Sequence, residues 1–242
     1  MPDRKLSRRG LLAVAASVPL APATAATIRG DMPWREGAAD APVGPGGRGY
    51  VFFTGAEAAF IEAVVARLIP RDELGAGAVE AGVPAFIDRQ MAGEFGRGAR
   101  WYMQGPWGPG EKTQGYQTRL TPAAIYRAAI RAIDAQVSRE GKAATFAKLA
   151  AADQDEFLKR LEKGAVQLSG VDAATFFDML LQNTIEGFWS DPIYGGNRDM
   201  VGWKLIGFPG ARYDHSPYVS QHGARYPLPP VGLKGRPDWS AS

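Results

Sequence analysis

Two histidines are the first side chains to consider for chemistry, because imidazole is a common general base and metal ligand in proteins. His215 and His222 are the only histidines among the 242 residues, and they lie seven positions apart in a proline-rich stretch. This spacing fits no known metal geometry, and the sequence contains neither a G-x-S-x-G nor an H-E-x-x-H motif. We expect both histidines in solvent or at an interface. The alternative is a stand-alone enzyme or ligand-binding protein that uses these histidines and nearby carboxylates.

Three carboxylates, Asp153, Asp155 and Glu156, lie close together in the sequence and could bind a cation or exchange a proton. They also lie where a helical pattern begins, since Phe157, Leu158 and Leu161 follow with helical spacing. Negative side chains are favourable at the start of a helix because of the helix dipole. The pattern therefore predicts a helix from Asp153 to a stop at Gly164, not a metal site.

The glycine-rich run at residues 195–199, GGNRD, could be imagined as a phosphate cradle. It lacks the G-x-G-x-x-G pattern of dinucleotide sites and the G-K-[ST] ending of a P-loop. Glycine and asparagine tolerate positive φ angles, which tight turns require. We therefore expect a tight turn in which Asn and Gly take positive φ.

Composition indicates a globular protein, with 45% hydrophobic and 22% charged residues. The chain has no cysteine. This absence excludes disulfides, thiolate metal sites, iron–sulfur ligation and covalent c-type haem attachment within this chain. The expectation is that the chain has no cofactor and no catalytic residue of its own.

The N-terminus has the features of an export signal. The segment MPDRKLSRRGLLAVAASVPLAPATAAT combines a basic start, an apolar middle and an A-x-A cleavage pattern. Its SRRGLL run matches the twin-arginine motif, carried here by Ser7, Arg8, Arg9, Leu11 and Leu12. The twin-arginine route carries folded cargo, which suits proteins that bind a cofactor before export. Residues 1–26 are therefore predicted to be a twin-arginine signal, the alternative being a disordered basic tail, and the signal would serve a partner that holds a cofactor.

The charge balance gives no sign of a nucleic-acid partner. Four of the 28 basic residues and one of the 25 acidic residues lie in residues 1–25, which leaves 24 of each sign in the remainder. The rest of the chain is thus neutral and has no basic stripe interleaved with aromatic residues.

Helical patterns dominate the chain after a Pro/Gly-rich arm at residues 27–53. We predict a mainly α fold, a single helical domain of about five helices over residues 54–214, with long Gly/Pro/aromatic loops and an extended Pro-rich tail at 215–242. The first predicted helix follows a Thr54 cap with Glu57 and ends before Pro70, and the second runs from about Pro84 to Met91. The third follows Thr121 and Pro122 and ends at Gly141, and the fourth runs from Asp153 to Gly164. The fifth follows Asp172 and has a stripe of apolar residues: Phe176, Phe177, Leu180, Leu181, Ile185, Phe188 and Trp189.

The loops hold more aromatic and arginine side chains than turns need. Such residues are enriched at the centre of protein interfaces, but they also cover a domain's own core. The sequence leaves both alternatives open for Trp101, Tyr102, Trp107, Tyr116, Trp189, Tyr194, Trp203, Phe208, Arg212 and Tyr213.

These residues carry a resemblance to a known family. Residues 184–214, TIEGFWSDPIYGGNRDMVGWKLIGFPGARYD, resemble the gluconate 2-dehydrogenase subunit 3 family, as do the runs GPW at 105–107, GYQ at 115–117 and LTP at 120–122. The twin-arginine start is also typical of that family. The resemblance covers about residues 50–214 and leaves out the preceding arm and the Pro-rich extension.

The resemblance implies a small subunit of a periplasmic, membrane-associated dehydrogenase that oxidises sugars, sugar acids or polyols. Its partner would be an FAD-dependent large subunit of the glucose–methanol–choline type, in many members with an iron–sulfur cluster. A multihaem cytochrome c subunit commonly anchors such complexes. The small subunit would assist maturation of the large one and carry the signal for the twin-arginine translocase.

We expect the loops around residues 100–117 and 191–213 to form the interface with the large subunit. The predicted interface residues are Trp107, Tyr116, Asp191, Tyr194, Asn197, Arg198, Asp199, Trp203, Arg212 and Tyr213.

Overall fold

The computed structural model of the protein describes residues 49–233, except residues 109, 112, 115, 116 and 213. The predicted signal, the predicted arm up to residue 48 and the last nine residues of the predicted tail lie outside the described residues.

Six α-helices form the described part of the chain, where no β-strand occurs, and the mainly α prediction is confirmed. They are α1 Gly55–Leu68, α2 Val83–Ala92, α3 Pro122–Arg139, α4 Ala151–Glu162, α5 Ala173–Trp189 and α6 Val201–Ile206. Short 3-10 turns occur at Phe146–Lys148, Pro192–Tyr194, Arg198–Met200 and Ser216–Tyr218. None of the helices in the described ranges is both long enough and apolar enough to cross a membrane.

Local capping residues set most helix starts where the sequence predicts them. At α1, the Glu57 amide donates to Thr54 Oγ1 and the Thr54 amide donates to Glu57 Oε2, which completes a capping box. Thr121 and Asp172 cap α3 and α5 with one bond each, since their side chains accept from the amides of Ala124 and Thr175. Helix α4 starts earlier than predicted, at Ala151 behind an Ala150 cap with no side-chain bond, and Asp153 lies inside its first turn.

Helix α5 is the centre of the fold, because it contacts each of the other five helices. Its Phe176 ring packs edge-on against the fully buried Tyr126 of α3, with ring centroids 5.5 Å apart. Phe146 links α1 and α4, at 5.1 Å from the Phe60 ring and 5.9 Å from the Phe157 ring. Aromatic pairs in the geometry that such rings prefer thus link α3 to α5 and α1 to α4.

The buried face of α5 differs from the predicted stripe at one position. Ile185, predicted to face the core, is exposed, whereas Asn183 and Thr184 are buried. The helical period explains this, because Phe176, Leu180 and Thr184 follow each other at intervals of four. The buried polar groups are satisfied: Asn183 Nδ2 donates to Tyr126 Oη at 2.9 Å, and Thr184 Oγ1 donates to the Leu180 carbonyl at 2.7 Å.

A buried carboxylate ties the end of the arm to α2. Asp88 is 3% exposed and accepts hydrogen bonds from the backbone amides of Val51, Phe52 and Phe53 at 2.7, 2.9 and 2.9 Å. Arg127 of α3 covers the Phe52 ring at 4.3 Å and donates to the Phe52 carbonyl. Residues 51–53 therefore belong to the packed domain.

Ion pairs connect α4 to its neighbours. Arg67 of α1 forms a bidentate pair with Asp155, with Nε–Oδ1 at 2.6 Å and Nη2–Oδ2 at 2.8 Å. Arg160 pairs with Glu140 at the end of α3 at 2.8 Å, and Lys142 pairs with Asp153 at 2.9 Å. Two of the three clustered carboxylates thus make structural ion pairs.

We predict that Asp88→Ala lowers the free energy of unfolding by about 2–4 kcal/mol, because three backbone amides lose a charged acceptor. Urea unfolding of the purified chain measures this change. The matched control is Asp178→Ala on the exposed side of α5, which should change stability by less than about 0.5 kcal/mol. Equal losses in the two variants would contradict the role assigned to Asp88.

A second prediction concerns acid pH. The hydrogen bonds from Arg67 hold the pKa of Asp155 below its usual value, and those from Arg160 do the same for Glu140. A lowered folded-state pKa stabilises the fold above the unfolded-state pKa of about 4, and this stability is lost as the pH falls through the folded-state pKa.

Asp155→Asn should therefore cost roughly 0.5–1 kcal/mol at pH 7, since the pair is partly exposed and screened. The difference from the unsubstituted chain should shrink as the pH is lowered from about 4 towards 2, as measured by urea unfolding across this range. Glu162→Gln, at an exposed carboxylate on the same helix, is the control. A difference that stays constant with pH would contradict the stabilisation assigned to the Arg67–Asp155 ion pair.

Candidate interaction surface

The segment after α5 folds back onto the end of that helix through one buried side chain. Asn197 is fully buried; its Nδ2 donates to the Ser190 carbonyl and its Oδ1 accepts from the Gly202 amide, both at 2.9 Å. One amide group thus joins the end of α5 to the start of α6.

Backbone also touches backbone in this segment. A Cβ on Gly196 would lie 2.1 Å from the Gly187 carbonyl oxygen, and one on Gly202 would lie 2.5 Å from the Phe188 carbonyl oxygen. Both distances are shorter than any side chain allows, so the path of the chain over α5 requires glycine at these two positions.

The turn at residues 195–200 has a strained backbone, and burial of the Met200 side chain opposes that strain. Gly195 and Asn197 take positive φ, 99° and 45°, as the sequence predicts. Asp199 and Met200 do so as well, at 55° and 54°, which the sequence did not predict. Such backbone costs roughly 1–3 kcal/mol per residue and persists where the surroundings fix it. The Met200 side chain is 1% exposed, so its burial opposes this cost.

The segment is more regular than the sequence indicates, since it contains α6. Six residues are too few for a stable isolated helix, so tertiary contacts must hold α6 in place. Trp203 supplies these contacts: it is 6% exposed, its Nε1 donates to the Trp189 carbonyl at 2.8 Å, and its ring packs edge-on against Phe208 at 5.2 Å.

The outer side of α6 presents apolar side chains to solvent. Leu205 is 50% exposed, Ile206 63% and Phe208 44%, and Leu74 of the α1–α2 connection is 71% exposed. Leu74 and Leu205 lie on the same groove of about 530 Å³, which also includes Pro70, Trp189 and Val201 in its lining. We call these four exposed side chains, Leu74, Leu205, Ile206 and Phe208, the α6 surface.

The predicted interface residues around α6 fall into two groups. Asn197 and Trp203 are buried in this chain, so they position α6 instead of facing a partner. Tyr194 and Asp199 are exposed, and Arg198 is half-buried.

The remaining predicted interface residues lie farther along the chain or in the loop before α3. Asp191 accepts hydrogen bonds from the backbone amides of Ile193 and Leu233. Arg212 donates from Nη2 to the Pro229 carbonyl. Trp107 lies in an open groove of about 590 Å³ with Trp101 and Tyr102. Tyr116 and Tyr213 lie outside the described residues.

The two histidines do not form a site together. His215 packs against the Tyr226 ring at 5.6 Å and lines a small cavity of about 220 Å³, whose described lining does not include His222. His222 is exposed. Among the described residues, no group of three or more His, Asp or Glu side chains is placed to hold a metal ion.

Leu74, Leu205 and Ile206 are absent from the predicted interface residues, because that prediction rests on the enrichment of aromatic and arginine side chains at interface centres. The available signal was the run VGWKLI, in which Trp203 faces the core and the leucine and isoleucine that follow are exposed.

Comparison with known proteins gives a family match. The family model described as gluconate 2-dehydrogenase subunit 3 matches residues 55–210, which run from the first residue of α1 to four residues past α6. No curated protein and no solved structure matches the chain. Because the matched range is well over half of the 242 residues, this chain belongs to the gluconate 2-dehydrogenase subunit 3 family.

Proposed function

We propose that this chain is the non-catalytic small subunit of a periplasmic, flavin-dependent dehydrogenase complex of the gluconate 2-dehydrogenase type. It binds the FAD-bearing large subunit and assists that subunit's maturation, stability and twin-arginine export. The family match supports a subunit 3 role. The observation that carries the proposal is the α6 surface, where apolar side chains are held in solvent by a rigid, buried support.

An exposed apolar patch on a fixed support favours a protein partner. Contiguous exposed apolar side chains on soluble domains mark interaction sites, since their burial by a partner removes them from water. Rigid support lowers the cost of binding, because little conformational freedom is lost on association. In this proposal Asn197 and Trp203 provide the rigidity, and the exposed Tyr194 and Asp199 and the half-buried Arg198 supply polar contacts to the partner.

The partners follow from the family resemblance. The large subunit of the glucose–methanol–choline type would hold FAD and the substrate pocket, with an iron–sulfur cluster in many members. A multihaem cytochrome c subunit would anchor the complex to the membrane. No catalytic, cofactor-binding or metal-binding residue is assigned to this chain, and its twin-arginine signal would export the large subunit in a folded state.

We predict that the double substitution Leu205→Asp with Ile206→Asp lowers recovery of the assembled complex at least about tenfold, because two interface side chains become charged. Turnover per assembled complex should not change. Co-expression with the large subunit, affinity purification and a flavin absorbance spectrum measure both quantities.

The control is Ile185→Asp on α5, an exposed apolar position absent from the lining of the groove that contains Leu74 and Leu205. Normal recovery of the double variant would contradict the α6 surface as the interface. Oxidation of a sugar or polyol by the purified chain alone would overturn the non-catalytic assignment.

A further prediction tests export. Replacing Arg8 and Arg9 together by lysine should keep both this chain and the large subunit in the cytoplasm, because the large subunit would depend on this chain's signal. Immunoblots of cytoplasmic and periplasmic fractions measure the distribution. Exchanging Arg4 for lysine and Lys5 for arginine preserves charge outside the motif and serves as the control. A large subunit that still reaches the periplasm in the double-lysine variant would refute the shared signal.

A further inference from the structure

A loop beyond the family match closes on itself next to α6. Its base is fixed by hydrogen bonds from the Ala211 amide to the Val231 carbonyl at 2.7 Å and from the Val231 amide to the Pro209 carbonyl at 3.2 Å. The Leu233 amide, just past the base, donates to Asp191 at 2.6 Å. The family match ends at residue 210. We call residues 211–230 the appended loop, because they follow the range that the family model matches; residue 213 within it lies outside the described residues.

The appended loop forms one wall of a groove whose other wall is α6 and the residues after it. The groove has a volume of about 560 Å³. Trp203, Lys204, Gly207 and Phe208 line one side, and residues 225–230 line the other. Lys204 also lines the groove that contains Leu74 and Leu205, so the two grooves adjoin. This second groove, which we call the loop groove, therefore extends the α6 surface.

The lining of the loop groove has a definite chemistry. Its two charged side chains, Lys204 and Arg225, are both cations, and the described lining contains no carboxylate. Arg225 is exposed and forms no ion pair or hydrogen bond among the described residues. Most of the remaining lining is apolar, with Phe208, Leu228 and three prolines. An apolar side chain next to a carboxylate complements such a groove, since guanidinium groups bind carboxylates in a bidentate geometry.

We propose that the loop groove binds a carboxylate-bearing, apolar segment of the large subunit. The proposal rests on the proposed function, because it places this contact beside the α6 surface. Two cations are fewer than the four to eight that lipid-binding basic clusters use. The charge pattern thus favours a protein segment over an anionic membrane.

Photo-crosslinking within the intact complex tests the occupant directly. A photoreactive amino acid replaces Leu228, whose side chain is 44% exposed, in the full chain co-expressed with the large subunit. The expected product is a cross-link to one large-subunit peptide that contains Asp or Glu beside apolar residues. A cross-link to lipid, to a peptide without an acidic residue, or to no large-subunit peptide would overturn the proposal.

Charge reversal gives a second test. Arg225→Glu should raise the Kd of the complex about tenfold at low salt and make the Kd less dependent on salt concentration. Arg225→Lys should retain most of the affinity. The control is Arg131→Glu, an exposed arginine of α3, which should leave the Kd unchanged.

These variants separate the two proposals. If the Leu205→Asp and Ile206→Asp double variant loses the complex while Arg225→Glu binds normally, the loop-groove inference is wrong and the proposed function stands. If neither variant affects assembly, the α6 surface is not the interface and both proposals fail.

Discussion

The path of the chain from α5 to α6 depends on the side-chain amide of Asn197. This group is fully buried, and it satisfies a carbonyl at the end of α5 and an amide at the start of α6. A buried polar group left without its partner costs about 1–3 kcal/mol, so the loss of this amide would leave two backbone groups unsatisfied. The strained turn and the six-residue α6 both lie next to this contact, and neither is stable from local preferences alone.

The sequence predicts the elements whose boundaries are set locally. The starts of α1, α3 and α5 follow from a Thr or Asp cap, and glycine or proline marks the ends of α1 and α3. In contrast, α6 could not be predicted, since its stability comes from Trp203 and from close backbone contacts at Gly196 and Gly202. These are tertiary contacts that no local pattern records.

The candidate surface was only partly predictable for a related reason. Aromatic side chains are enriched both in cores and in interfaces, so composition cannot separate Trp203, which is buried, from Tyr194, which is half-exposed. Leucine and isoleucine have the same ambiguity, and the sequence offers no reason to place Leu205 and Ile206 outside. The direction of each side chain becomes known only when the path of the chain over α5 is known.

The carboxylate of Asp88 has a mechanical consequence. It binds three consecutive amides, at residues 51–53, that lie about 35 positions earlier in the chain. Tension applied along the backbone from residue 49 is thus transmitted to α2 and the core rather than peeling α1 away first. A chain pulled from its N-terminal side would therefore resist unfolding at residues 51–53 until the three hydrogen bonds to Asp88 broke together.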